Sequence, residues 1–285
     1  MAPKMWDVLS EAKRTIDAQP RHYLILSLIF ILPSSLVTFL FNFLVKHFQQ
    51  QPQQDTIYPT LIFTLVSILF LLISSIFTFC SFISITYSVY HSFFNQHIKL
   101  KEAIKFISTS FFPLLATDII IFTIFFIGSF LLGLVIGVVL FLITYIGGVD
   151  LQANSYLVIV LLMLVFLPLG MYLMINFTLV KVIVVVESVW GFEPLRRSWK
   201  LVRGMKSLIL SISFLFGSLQ LVLVWITSYS WVLNLVISPI FAMLSLYSYA
   251  VLTVLYIYCK EKHEKLANED FGKEKDEARL SLIPS

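Results

Sequence analysis

Charge is what this chain has least of. Only 13% of its 285 residues are Asp, Glu, Lys or Arg, about half the ~25% of an average soluble domain. That shortage excludes an ordinary soluble globular protein, a nucleic-acid binder and an intrinsically disordered chain. Two cysteines cannot build a disulfide framework or a Cys-based zinc site. The histidines (His22, His47, His91, His97 and His263) include no i, i+4 pair, so no helical metal site and no cofactor are expected. No G-x-x-x-x-G-K-[S/T], H-E-x-x-H or G-x-S-x-G is present, so the commonest phosphate-binding, metalloprotease and serine-hydrolase signatures are missing. The text therefore offers no catalytic cluster, and the chain is not expected to be an enzyme.

What the sequence does have is apolar length. Hydrophobic residues make up 59% of it, with 27 Phe, and mean hydropathy is +0.92. A transmembrane helix needs about 20 apolar residues to cross ~30 Å of hydrocarbon. Six stretches qualify: Tyr23–Val45, Leu61–Tyr90, Phe112–Ile146, Tyr156–Val186, Ser207–Tyr229 and Leu235–Cys259. The fold class expected is all-α, a polytopic bundle of six transmembrane helices forming one membrane domain over 1–259. A charged tail, 260–285, is expected to be disordered. The third stretch would be roughly 50 Å long at 1.5 Å per residue, more than one upright span needs. Splitting it would move Arg196, Arg197, Lys200, Arg203 and Lys206 away from the other basic loops, so it is read as one helix, tilted or protruding.

Of the 20 Lys and Arg, 18 fall in the N-terminal segment, the second and fourth loops and the tail; Lys46 alone lies in an opposite loop, and Lys181 lies within a span. Basic residues are retained on the cytoplasmic side. Both termini are thus expected in the cytosol, in the plasma membrane or an endomembrane. The first span is too long for a cleaved signal and no A-x-A site follows it.

Glu11, Glu102 and Glu193 recur at a spacing of 91 residues, each at the start of a charged block that precedes a pair of spans. Three units follow, about 1–91, 92–182 and 183–259, each an amphipathic helix plus a helical hairpin. In the third block Phe192, Leu195, Trp199 and Val202 fall on one helical face, with Arg196, Lys200 and Arg203 opposite. Pro194 suits a first turn and Gly204 a C-terminal cap. A basic, Trp-bearing helix of this kind lies in the headgroup layer. Arg196, Arg197, Trp199, Lys200 and Arg203 are therefore candidate contacts to anionic lipid. In the second block Leu100, Ile104, Ile107 and Phe111 form the stripe, and in the first Trp6, Leu9, Ala12 or Lys13, and Ile16 do so less cleanly. The plainer alternative is that all three are ordinary basic loops.

Asp118 and Lys181 interrupt the apolar text of spans three and four. Intramembrane charge is costly and is a functional suspect. Counted back from the short turn between those spans, the two lie at similar depth. Three readings stand: each reaches the interface alone, they form a structural ion pair, or they serve a relay. Ser129, Gly133 and Gly137 repeat every four residues, which would admit a neighbouring helix, within the chain or from a second copy.

The most distinctive text is Val184-Val185-Val186-Glu187, followed by Pro194-Leu195-Arg196-Arg197-Ser198-Trp199-Lys200-Leu201-Val202-Arg203-Gly204. It resembles a family of plant six-span transmembrane proteins, and more distantly the membrane domain attached to some bacterial glycerophosphodiester phosphodiesterases. In that family an acidic residue closes a hydrophobic helix, and an Arg-Ser-Trp helix ending in Gly leads into the next span. The matching positions here are Glu187, Arg197, Ser198, Trp199 and Gly204. The resemblance implies a fold and not phosphodiesterase activity, because no acidic or histidine constellation lies outside the spans. The expected function is a non-enzymatic integral membrane protein that organises membrane or partner proteins from the cytosolic face. A small-solute or lipid transporter is the alternative.

Overall fold

The structure, a computed structural model, describes residues 4–50, 57–96, 98–147, 155–229 and 231–280. Among these there are helices and turns and no strand. The elements are α1 (Met5–Ala18), α2 (Pro20–Leu26), a π turn (Ser27–Ile31), α3 (Leu32–Gln50), α4 (Ile57–Phe93), α5 (Leu100–Gly147), α6 (Ser155–Phe177), α7 (Val180–Glu187), α8 (Glu193–Val202), α9 (Lys206–Tyr229) and α10 (Trp231–Leu280). Six helical stretches are long and apolar enough to cross a membrane, and they coincide with the six read from the sequence.

Helix boundaries follow local chemistry. Pro33 has no N–H and crowds the carbonyl four residues back, and the π turn Ser27–Ile31 immediately before it absorbs that mismatch. At the end of α4, Asn95 takes left-handed backbone at φ 58, a conformation Asn tolerates better than most residues. The Gln96 N–H then reaches back to the His91 carbonyl at 3.0 Å, closing the helix in the manner of a Schellman turn.

The third span is one helix. α5 runs 48 residues without a break, about 72 Å at 1.5 Å per residue. Its length is explained at its start. Residues 100–111, expected as a separate surface helix, are the first three turns of α5, because no Gly or loop separates them from Pro113. They lie antiparallel to α4, with Phe106 stacked on Tyr87 (centroids 4.2 Å apart) and Phe111 edge-on to Phe79 (6.0 Å). α1 and α8 are thus separate from the spans that follow them, whereas residues 100–111 are fused into theirs.

Span four departs from its expected form in the opposite sense. It breaks at Thr178 and Leu179 into α6 and α7. Apart from Lys181 and the terminal Glu187, α7 is apolar, and its apolar residues turn almost entirely into protein. Val180, Val182, Ile183, Val184 and Val185 are at most 1% exposed, enclosed by α4, α5, α8 and α10. This short helix centres the core. Around it gather α1, the π turn, the end of α4, the middle of α10 and the start of α9. Away from this end, large side chains such as Phe122, Phe126, Phe130 and Leu134 on α5 and Leu65, Leu69 and Leu72 on α4 are exposed.

α1 buries Val8, Leu9, Ala12 and Thr15 against α10, α4 and α9, and leaves Trp6 exposed. Its protein-facing side is therefore rotated from the stripe expected through Trp6, Leu9, Ala12 or Lys13, and Ile16. Tyr247 on α10 fastens it by donating its hydroxyl hydrogen to the Leu9 carbonyl at 2.7 Å. The small residues of α5 do not receive a neighbour: a Cβ placed on Gly133 or Gly137 would meet nothing within 4 Å, so the close approach within the chain is not made. The sixth span is read from the sequence as ending at Cys259, followed by frayed helix and then disorder. Its backbone instead continues helical to Leu280. Strong helix formers and an i, i+4 pair, Lys265 to Glu261 at 2.6 Å, favour that continuation.

Candidate functional site

Glu187 is the last residue of α7, and its position depends on a sharp turn. Ser188 adopts left-handed backbone (φ 54, ψ 31) and Gly191 lies at φ 85, where a residue without a Cβ is least strained. Pro194 sits in the first turn of α8, where its missing N–H costs nothing. The turn folds α8 back onto α6 and α7. Arg197 thereby reaches two carboxylates, Glu187 at 2.5 Å and Glu193, four residues back on its own helix, at 2.9 Å. From α10 the fully buried Tyr256 donates its hydroxyl hydrogen to Glu187 at 2.5 Å, and the Lys260 ammonium stands 3.6 Å from the same oxygen. The hydrogen bonds that Arg197 donates, to Glu193 first and Glu187 second, push its guanidinium above its already high pKa, so it stays charged.

Each other member of the sequence motif has a contact. Ser198 is buried and donates to the Asn176 carbonyl at 2.6 Å. That carbonyl belongs to the last turn of α6, where helical partners run out. Trp199 is half-buried, edge-on to Tyr172 of α6 at 5.7 Å, and Lys206 lies over the same tyrosine ring at 5.3 Å. The Gly204 carbonyl accepts a hydrogen bond from Lys262 of α10 at 2.9 Å. Gly204 is not in left-handed backbone, so it is not the expected glycine cap; the left-handed glycine of this region is Gly191, before the helix. The motif is thus a latch that joins α6, α7, α8 and α10.

The expected lipid-facing residues divide. Leu195 and Val202 are buried against protein, so α8 spends most of its apolar face on the bundle and not on a bilayer. Phe192, placed on that face by its spacing, is exposed beside Trp190. Arg197 is taken up by Glu187 and Glu193. Arg196, Lys200 and Arg203 are exposed and form no ion pair among the described residues.

Asp118 and Lys181 meet. The Lys181 ammonium lies 2.8 Å from the Asp118 carboxylate and 5.6 Å from the Phe79 ring centroid. The Thr117 hydroxyl beside Asp118 accepts a hydrogen bond from the Gly191 N–H at 3.2 Å, tying α5 to the turn before α8. Tyr256, Lys260, Lys262 and Tyr172 were not singled out in the sequence. Tyr256 stands 69 positions from Glu187, and only its hydroxyl, otherwise stranded in apolar text, hinted at a partner. Among the described residues no group of three or more His, Cys, Asp or Glu could hold a metal ion.

Six apolar helices and a charged latch at one end of the bundle define a multi-pass α-helical membrane protein. Its family is shown by the match of residues 4–273 to the model for Domain of unknown function DUF8558, and the chain belongs to that family. No curated protein and no solved structure matches it.

Proposed function

We propose that this protein is a non-enzymatic organiser of membrane or partner proteins, acting from the cytosolic face through the basic surface of α8. One observation carries the reading. The latch holds α8 rigidly against the bundle while Arg196, Lys200 and Arg203 stay unpaired and exposed, with exposed Trp190 and Phe192 beside them. Aromatic side chains favour the headgroup layer, and basic residues beside it are attracted to anionic lipid. A fixed array of both suits a leaflet rich in anionic lipid, or an acidic partner segment lying on it. The positive-inside distribution of Lys and Arg supports placing this end, with both termini, in the cytosol. A transporter of small solutes or lipids is the second reading, supported by the Asp118–Lys181 pair among the spans.

Orientation is tested first. A protease site inserted after Gly148 is expected to be protected from a cytosolic protease, and one after Lys265 to be cut; cleavage at Gly148 would reverse the topology and remove α8 from the cytosol. The surface is tested with the full chain in nanodiscs containing a trace of fluorescent anionic phospholipid. Energy transfer from protein to lipid should exceed that to a zwitterionic probe and fall as salt rises. Arg196→Gln, Lys200→Gln and Arg203→Gln together should erase the difference. Equal transfer to both probes in the unaltered protein, or saturable solute flux in liposomes, would sink the organiser reading.

A further inference from the structure

Between α6, α9 and α10, close to the break that separates α6 from α7, the bundle opens into a groove. It consists of two joined hollows of about 500 and 400 Å³ that share Met174, Ser213, Gly217 and Gln220. The end toward α7 carries Lys181, Thr178 and Ser248 among apolar side chains such as Phe125, Phe177 and Leu252. The other is apolar, with Met171, Leu221, Val224 and Phe241. Gly217 keeps the middle open: a Cβ placed there would meet nothing within 4 Å.

We propose that this groove is a binding site for one membrane glycerophospholipid. One acyl chain lies along α9 from Ser213 toward Val224, the ester region meets Gln220 and Ser213, and the phosphate lies against Lys181. Three observations carry the assignment. The walls belong to helices that can cross a membrane, so the medium that fills the opening is lipid. Charge lies at one end only: Lys181 lines the hollow toward α7 and no charged side chain lines the other, which suits an amphiphile with a single charged end. The Gln220 amide and the Ser213 hydroxyl have no hydrogen-bond partner among the described residues, although polar groups among membrane helices need one. An ester supplies acceptors to both. Lys181 carries three donors, of which Asp118 takes one, leaving donors for a phosphate. The site is separate from the basic surface of α8 and does not rest on the organiser reading.

The test uses the full chain in nanodiscs doped with phosphatidylcholine bearing a diazirine in one acyl chain, with adducts located by mass spectrometry. Labelling at Met174 and Leu221 should saturate as the probe fraction rises, while labelling at the lipid-exposed Phe130 of α5 rises in proportion. Gly217→Phe fills the groove and should abolish the saturating component without changing Phe130. Gln220→Leu, which keeps the groove open, should raise the half-saturating probe fraction. Lys181→Gln should raise it about tenfold, the loss expected for a charge-assisted hydrogen bond, and should leave binding of a diazirine diacylglycerol, which has no phosphate, unchanged. Labelling of Met174 and Leu221 that rises in step with Phe130 would overturn the site. An equal effect of Lys181→Gln on both probes would overturn the placement of the phosphate.

Discussion

Glu187→Ala is expected to lower the melting temperature of the detergent-solubilised protein more than any other single polar substitution at this end of the bundle. The carboxylate joins α7, α8 and α10 at one point, through Arg197, Tyr256 and Lys260. Removing it strands the Tyr256 hydroxyl, which is fully buried; an unsatisfied buried polar group costs about 1–3 kcal/mol. It also takes the anion from Lys260 and leaves Arg197 with Glu193 alone. Glu187→Gln keeps an acceptor for Tyr256 and should fall between wild type and Ala. Tyr256→Phe removes the hydroxyl and the need to satisfy it, at about 1 kcal/mol. The double variant Glu187→Ala, Tyr256→Phe should therefore lose less than the sum of the single losses, as groups in contact do. Strict additivity in thermal unfolding would show that the two do not interact.

Ile183→Ala should carry the largest apolar penalty, about 2–4 kcal/mol for deleting a fully buried aliphatic side chain that its neighbours cannot replace. Phe130→Ala removes a larger side chain from α5, yet should change stability by less than about 0.5 kcal/mol, as for an exposed position. The comparison separates two pictures of span four. If residues 180–187 were the lipid-facing end of a span, Ile183→Ala would be as mild as Phe130→Ala. If α7 is the centre of the core, the contrast is several-fold in the free energy of unfolding, read from paired thermal melts in the same detergent. Equal shifts would remove α7 from the core.

The candidate site was legible in part. Glu187, Arg197, Ser198, Trp199 and Gly204 stand out as text, and each makes a contact in the fold. The spacing of α8 predicted a face through Phe192, Leu195, Trp199 and Val202, but spacing cannot say what a face meets. Leu195 and Val202 meet protein, Trp199 meets Tyr172, and Phe192 is exposed. Arg197 reads like its basic neighbours, yet the turn at Ser188 and Gly191 directs it onto Glu187 while Arg196 and Lys200 face outward. Depth counting placed Asp118 and Lys181 at one level, but whether they pair depends on how α5 packs on α7.

The sequence by itself determined the six apolar helices, the concentration of Lys and Arg in alternate loops, and the single long third span. These are properties of composition and local period, and a twenty-residue window contains all the physics they need. Only the tertiary structure decided that α7 leaves span four to become the core, that residues 100–111 join α5, and that Glu187 closes on Tyr256 and Lys260. Each of these depends on contacts between segments far apart in the chain. An apolar helix is equally satisfied by lipid or by protein, so its own residues carry no record of which it will meet.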